Sequence, residues 1–262
     1  MIKFTKYYLI WIVSALWPAA LSLPLLLTPP SFFPPSFFLL PCPLRRPQEI
    51  ASGIFFGDVT KCPSNRISSI SRSTKETNID VVLDLDHPVE NSVVKTGLAT
   101  LDKLITAFIT SSGVGCRLLC SGDLWIDDHH LTEDVGIALG QAINRSLGDK
   151  KGCNRMWSET VGGIRCTLDL SNRPYFEGDT QWNGDGIVVD AAIGSSDVSE
   201  EMVQHFFESL VTNGMMTCHI EGQAANSAES AIKAFGTCFA FCKAVDERRG
   251  GKVSSSKGTL SA

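Results

Sequence analysis

One pattern occurs twice along this chain: a strand, a short segment bearing His or Glu, and then a helix. The first copy has a strand at residues 116–120 and the pair His129-His130 with Glu133. A helix follows, with Val135, Leu139, Ala142, Ile143 and Leu147 recurring at helical spacing before Gly148. The second copy has a strand at residues 216–220, then Asn226 and Glu229. Its helix at 228–245 turns Ile232, Phe235, Phe239 and Cys242 inward and Lys233 outward. Such duplication predicts two similar halves of strands and helices that face each other and build one site from equivalent positions. Alternation through Val81, Leu83 and Leu85 marks a further strand. Met202, Val203, Phe206, Phe207 and Leu210 form an apolar helical stripe with His205 on its edge.

Composition narrows the functional classes. The chain has 262 residues and a net charge of -5. That length supports a sizeable core, and the absence of a basic run excludes nucleic acid as the main partner. Its nine cysteines include no Cys-x-x-Cys pair. They read as small buried hydrophobes in a reducing compartment, rather than a disulfide framework or zinc module.

Residues 1–60 read as targeting sequence, separate from the fold. Lys3 and Lys6 precede an uncharged apolar run at 8–27, and Pro-Pro-Ser-Phe-Phe then occurs twice. No acid appears before Glu49, while Arg45 and Arg46 add positive charge. A signal segment followed by an acid-poor, transit-like segment predicts a two-step route into a plastid and a mature protein outside the membrane. A membrane anchor or the secretory pathway is the alternative, because hydropathy of this length does not separate the cases.

The segment Gly122-Asp-Leu-Trp-Ile-Asp-Asp128-His129-His130-Leu-Thr-Glu133-Asp134 carries the densest chemistry. A helix beginning near Asp128 puts His129 and Glu133 on one face, with His130 the (i, i+3) neighbour of Glu133. Imidazole with carboxylate suits Mn, Zn or Fe(II) better than Ca or Mg. The same residues also fit an acidic helix N-terminus with solvated histidines, and spacing alone leaves both readings open.

Taken with its continuation Gly-Ile-x-Leu-Gly, this segment resembles the first metal-binding segment of the imidazoleglycerol-phosphate dehydratase family. Further matches follow in order from about Arg66 to Leu260: Thr74-Lys-Glu76-Thr77, Gly97 to Leu104, Asn154-Arg155, Leu168 to Tyr175, Gln204-His205-Phe-Phe, and Ser254 to Gly258. The resemblance implies an α+β two-layer (α/β) fold like ribosomal protein S5 domain 2. Residues 61–262 would form two repeats, about 61–170 and 171–262, each a mixed sheet with helices on one face. It also implies a large homo-oligomer with sites shared between subunits.

By the same resemblance the reaction removes water from imidazole glycerol phosphate, a small phosphorylated imidazole, giving imidazole acetol phosphate in histidine biosynthesis. Mn2+ would be the cofactor. The implied metal ligands are His129, His130, Glu133, His205 and Glu229, and the implied catalytic carboxylates are Glu76, Glu133 and Glu229. The substrate phosphate would meet Arg155, Arg173, Lys233, Ser255 and Lys257. The chain departs from the family pattern at four places. Lys103 stands where the family has a His ligand, Ser112-Gly113 stand where it has His-Gly, and the second His-His pair before Glu229 is missing, most simply through a deletion of about four residues. The segment 156–163 is shorter than the family's. One cation site would keep His129, Glu133 and His205, and the other only His130 and Glu229. The alternative to an active enzyme is an impaired family member that binds a phosphate ligand or joins mixed assemblies.

Overall fold

The computed structural model describes residues 66–88, 92–249 and 251–260, all within the unit Asp58–Ala262. The expected targeting segment, residues 1–60, lies outside them, and so does Cys62. Among the described residues no helix is long and apolar enough to cross a membrane.

The first repeat contains β1 (Ile67–Ser73), β2 (Thr77–Asp84), β3 (Val93–Lys95), α1 (Ala99–Ser112), β4 (Gly115–Gly122) and α2 (His129–Leu147). The second contains β5 (Met156–Val161), β6 (Ile164–Asp169), β7 (Tyr175–Asp179), α3 (Glu200–Asn213), β10 (Thr217–Gly222) and α4 (Ser227–Lys243). Two short strands, β8 (Ile187–Val188) and β9 (Val198–Ser199), pair in parallel between β7 and α3. The two main sheets have the same order, β1-β2-β4-β3 and β5-β6-β10-β7. In each, only the last pair, β3 with β4 or β7 with β10, is parallel. Sheet membership changes between Leu147 and Met156, because β6 pairs with β10. The strands at 156–169, expected in the first half, therefore lie in the second sheet.

Alternation creates the faces. In β2, Thr77, Ile79, Val81 and Leu83 are buried, while Asn78, Asp80 and Val82 are exposed. Each sheet packs against its own helices, and across the repeats α2 packs on α3 and α1 on α4. One continuous core results, with Phe108 of α1 meeting Phe235 and Phe239 of α4 at ring-centroid distances of 5.7 and 5.8 Å. Fully burying each such side chain contributes about 1.5–3 kcal/mol.

The duplication holds residue by residue. Counting on by 96, buried Leu131, Thr132, Val135, Leu139, Gly140 and Ile143 of α2 fall on buried Ser227, Ala228, Ala231, Phe235, Gly236 and Phe239 of α4. Counting on by 102, Leu101, Leu104, Ile105 and Phe108 of α1 fall on Val203, Phe206, Phe207 and Leu210 of α3. Even the close approaches match. A Cβ on Gly140 would meet the carbonyl of Leu210, and one on Gly236 the carbonyl of its counterpart Phe108.

Candidate metal centre and phosphate pocket

The N-terminal ends of α2 and α3 are tied together by Asp128. Its buried carboxylate does not cap α2. It accepts hydrogen bonds from the backbone N–H of Ser199 at 2.8 Å and its hydroxyl at 2.9 Å. This brings the first turn of α2 beside α3, where His205 lies on the rim of the apolar stripe. His129 Nε2 is 3.7 Å from Glu133 Oε2, and His205 Nε2 is 3.7 Å from Glu133 Oε1. The two imidazole rings are 5.2 Å apart. One ligand atom from each of these residues can be chosen so that all three lie within 4.8 Å of one another. Two atoms bound about 2.1 Å from one ion stand roughly 3–3.5 Å apart at ordinary angles, so small side-chain adjustments would close the set. Among the described residues this is the group of His, Cys, Asp or Glu able to hold a metal ion. The adjoining cavity, about 240 Å³, is also lined by Glu201, Gln204 and Glu208. Both nitrogen and oxygen donors are present and solvent-accessible, so the donor set fits a borderline divalent cation.

His130 takes a different direction. Its Nδ1 is 3.1 Å from Oδ2 of the buried Asp123. That hydrogen bond, reinforced by the charges of Asp123, Asp127 and Glu76, raises the imidazole pKa above its ordinary value despite desolvation. With the proton on Nδ1, Nε2 is left as a free acceptor, the arrangement typical of a ligating histidine. Glu76, on the exposed β1–β2 turn, is thus near enough to act electrostatically on His130. Asp134 fastens that turn to α2. It accepts from Arg72 Nε at 3.0 Å and Nη2 at 2.6 Å, and from the Thr77 hydroxyl at 2.5 Å.

A second cavity, about 330 Å³, is lined by Arg155, Arg173, Ser255 and Lys257, together with Ser171 and Ser256. Four of the five residues expected at a phosphate therefore share one pocket. Arg155 has a left-handed backbone (φ 80°), and its guanidinium pairs with Asp169 at 2.7 and 3.0 Å and donates to the Ser254 carbonyl at 2.7 Å. Asp169 thereby holds the Arg155 pKa up. Arg173 is exposed, with its carbonyl held by the hydroxyls of Ser171 and Thr217. The Ser/Lys/Gly stretch is docked: Gly152 N–H donates to the Lys252 carbonyl at 3.0 Å, and the Ser254 hydroxyl to the Cys153 carbonyl at 2.8 Å. Buried Lys150 donates to the Leu170 and Met215 carbonyls at 3.4 Å and to Asn172 Oδ1, which fixes the loop before Arg173.

The remaining expected site residues lie elsewhere. Lys233 is not among the residues lining the phosphate pocket. It pairs with Glu229 one turn earlier on α4, because side chains four apart share a helix face. Glu229 and His130 do not join the His129 cluster. Asp123, Asp128, Asp134, Asp169 and Lys150 were not singled out for roles from sequence. Except for Asp123, seven residues from His130, their partners are distant in the chain, and no helical or strand spacing betrays them. Six cysteines are buried, Cys120 is partly buried, and all seven described are free thiols. Burial pushes the Cys116 and Cys120 thiols up to about 12, which suits inert core residues.

Fold and sites together define a duplicated α+β protein with a His/Glu cluster able to take a cation and a basic pocket. Residues 96–239 match the family model for imidazoleglycerol-phosphate dehydratase. Over 205 residues the chain is 36% identical to the imidazoleglycerol-phosphate dehydratase of Nitrosomonas eutropha, covering 74% of this chain and 100% of that one. It is 33% identical to the chloroplastic enzyme of Pisum sativum, covering 88% and 85%. Among solved structures, the Pyrococcus furiosus enzyme superposes with a TM-score of 0.57 at 28% identity, covering 72% of this chain and 99% of that one. The chain belongs to the imidazoleglycerol-phosphate dehydratase family, hydro-lyases of histidine biosynthesis.

Proposed function

We propose that this protein removes water from imidazole glycerol phosphate to give imidazole acetol phosphate, with Mn2+ held by His129, Glu133 and His205. The observation that supports this reading is the approach of those three side chains, with one ligand atom of each within 4.8 Å of the others, in a chain that also gathers Arg155, Arg173, Ser255 and Lys257 around one pocket. When bound, the ion supplies positive charge that polarises the substrate imidazole and stabilises the charge developing there in the transition state. The other steps belong to the chain. Arg173 and Lys257 supply a planar fork and an ammonium for the phosphate dianion, and the Ser255 hydroxyl adds a donor. Arg155 braces the pocket and the tail through Asp169 and the Ser254 carbonyl. A carboxylate, for which Glu76 is the exposed candidate, accepts the carbon-bound proton, and the departing hydroxyl leaves as water on receiving a proton. The resulting enol becomes the ketone, so atoms balance.

Geometry also supports assembly. The His129 cluster sits at the start of α2, while the phosphate pocket gathers segments that follow the C-terminal ends of α2 and α4. A helix spanning His129–Leu147 is about 27 Å long. No small phosphorylated imidazole bridges that span, so a complete site draws its phosphate pocket and its ion from different copies of the chain. Delivery to a plastid is part of the same proposal, supported by the acid-poor N-terminal sequence and the chloroplastic name of the Pisum sativum relative.

The test is turnover of imidazole glycerol phosphate by the purified chain with added Mn2+. His129→Ala is the negative control, and Arg173→Ala tests the phosphate pocket. Dehydration that depends on the ion is expected, lost in His129→Ala and weakened through a higher KM in Arg173→Ala. A well-folded, assembled protein with no dehydratase activity would favour the phosphate-binding alternative.

A further inference from the structure

Duplication gives the His129 cluster a counterpart at the other end of the pseudo-symmetry, between α4 and α1. Carried across by the core registers, Glu133 becomes Glu229, His129 becomes Ala225, His130 becomes Asn226 and His205 becomes Lys103. The structure places Lys103, Asn226 and Glu229 around a single cavity of about 210 Å³. The two pockets are thus equivalent in position and opposite in chemistry.

Three independent features set the second pocket against a metal ion. First, a protonated Lys has no lone pair to offer, and Ala225 offers nothing. Second, both oxygens of Glu229 are engaged: Lys233 Nζ donates to Oε1, and Asn226 Nδ2 to Oε2 at 3.0 Å. The Asn226 amide oxygen accepts the Glu229 N–H at 3.1 Å, so this side chain is fixed as the cap of α4. Third, the pocket is strapped. The β3–α1 connection is only residues 96–98, whereas β7 and α3 are joined by residues 180–199. That longer segment lies against both helix starts. Asn183 exchanges hydrogen bonds with Ser227 and accepts from Ala228 N–H at 3.1 Å, while Ser196 accepts from Thr100 N–H at 3.5 Å. Gly184 and Gly186 pass so close that a Cβ would collide with Asn226 Oδ1 and Thr100 Oγ1. Asp185 and Ile187 of the strap then line the cavity.

We infer that the second pocket is closed to divalent cations, its positive charge being supplied by lysine ammonium groups, so that each chain carries one ion where the duplication would allow two. The inference rests on reading the His129 cluster as the ion site. It assigns Glu229 to an internal Glu–Lys–Asn lock, in place of the ligand role expected from sequence.

The experiment counts ions. The full chain, in its native assembly, is dialysed to equilibrium against Mn2+, and metal per chain is measured by mass spectrometry and by the loss of the free-ion paramagnetic resonance signal. One ion per chain is expected. His205→Ala should remove it, and Glu229→Gln should keep it with at most a twofold change in affinity. Circular dichroism and gel filtration check that each variant is folded and assembled. Two ions per chain, or loss of an ion in Glu229→Gln, would overturn this inference and leave the proposed function standing. No ion in the folded wild-type chain would sink both.

Discussion

Gly136 couples packing to the proposed ion site, and Gly136→Ala tests that coupling. The residue sits on α2 where α3 crosses it, one turn beyond Glu133. An added Cβ would stand 2.9 Å from the carbonyl oxygen of Phe206 and 3.0 Å from Ser209 Cβ. Relaxed carbon contacts lie at about 3.5 Å, so the helices must separate by roughly 0.5 Å. Overpacking of this kind costs about 1–3 kcal/mol, partly offset by about 1 kcal/mol of better helix propensity. A net loss of about 1 kcal/mol would lower Tm by about 3 °C in a chain of this size. The effect on the ion should be larger in proportion. Phe206 directly follows His205, and half an ångström exceeds the roughly 0.2 Å tolerance of metal–ligand distances. An affinity loss of about tenfold or more is expected, the range for changes in the shell supporting metal ligands. Gly140→Ala is the control. Its Cβ would meet the Leu210 carbonyl at 2.5 Å and Asn213 Cβ at 2.9 Å, nearer the end of α3 and away from His205. It should be the more destabilising change and the less damaging to the ion per degree of Tm lost. Thermal melts of metal-free protein with calorimetric Mn2+ titration measure both. Wild-type affinity in Gly136→Ala, or a steeper loss per degree in Gly140→Ala, would refute this account of how the ligands are positioned.

Three further outcomes follow from named contacts. Burial lowers the pKa of Lys150 to about 8, against 10.5 for a free lysine. Between those values the unfolded chain binds the extra proton, so this group makes stability rise with pH, by about 3 kcal/mol across the window. Denaturant melts at pH 7.5 and pH 10 should show that rise in the wild type relative to Lys150→Met; identical pH dependence would contradict it. Arg173→Ala should raise KM about tenfold or more through loss of a charged hydrogen-bond donor, with Tm unchanged. Arg155→Ala should lose substrate affinity and also about 1–3 kcal/mol of stability, because Asp169 is left unpaired and the tail at Ser254 loses one of its anchors; a melt and a KM measured side by side distinguish these two arginines.

The parts of the fold legible in the sequence were those written in local periodicity. The helix after Asp128 and the inward positions Ile232, Phe235, Phe239 and Cys242 were readable because one helix face carries them. The three-residue ion cluster was readable only in part. His129 and Glu133 are one turn apart, but nothing local joins them to His205, and the family resemblance supplied that link. Sheet membership was not readable at 156–169. A strand's partner is set by pairing across the chain, and the β5–β6 hairpin gives no local sign that β10 takes its inner edge. The anchoring carboxylates Asp128 and Asp134 were hidden for the same reason. The first-turn acids looked like dipole partners, whereas Asp128 reaches across to Ser199.

Comparing the two halves separates what the fold demands from what a ligand demands. Where α2 and α4 bury a side chain, both copies hold a residue that fits a dry, close-packed contact, down to the glycines at 140 and 236 that let a helix approach a carbonyl. At the rims of the two pockets the copies disagree: His129 with Ala225, His130 with Asn226, and His205 with Lys103. Packing places no requirement on positions 103 and 205, since Lys103 is exposed and His205 only partly covered. The fold therefore tolerates either chemistry, and the residue present reports what occupies the pocket. On the α2–α3 side the rim offers imidazole nitrogens around a carboxylate with no lysine partner. On the α4–α1 side it offers an ammonium and an amide to a carboxylate already neutralised. The added chain between β7 and α3 lies over that second side, where sealing the pocket would take nothing from an ion bound at the first.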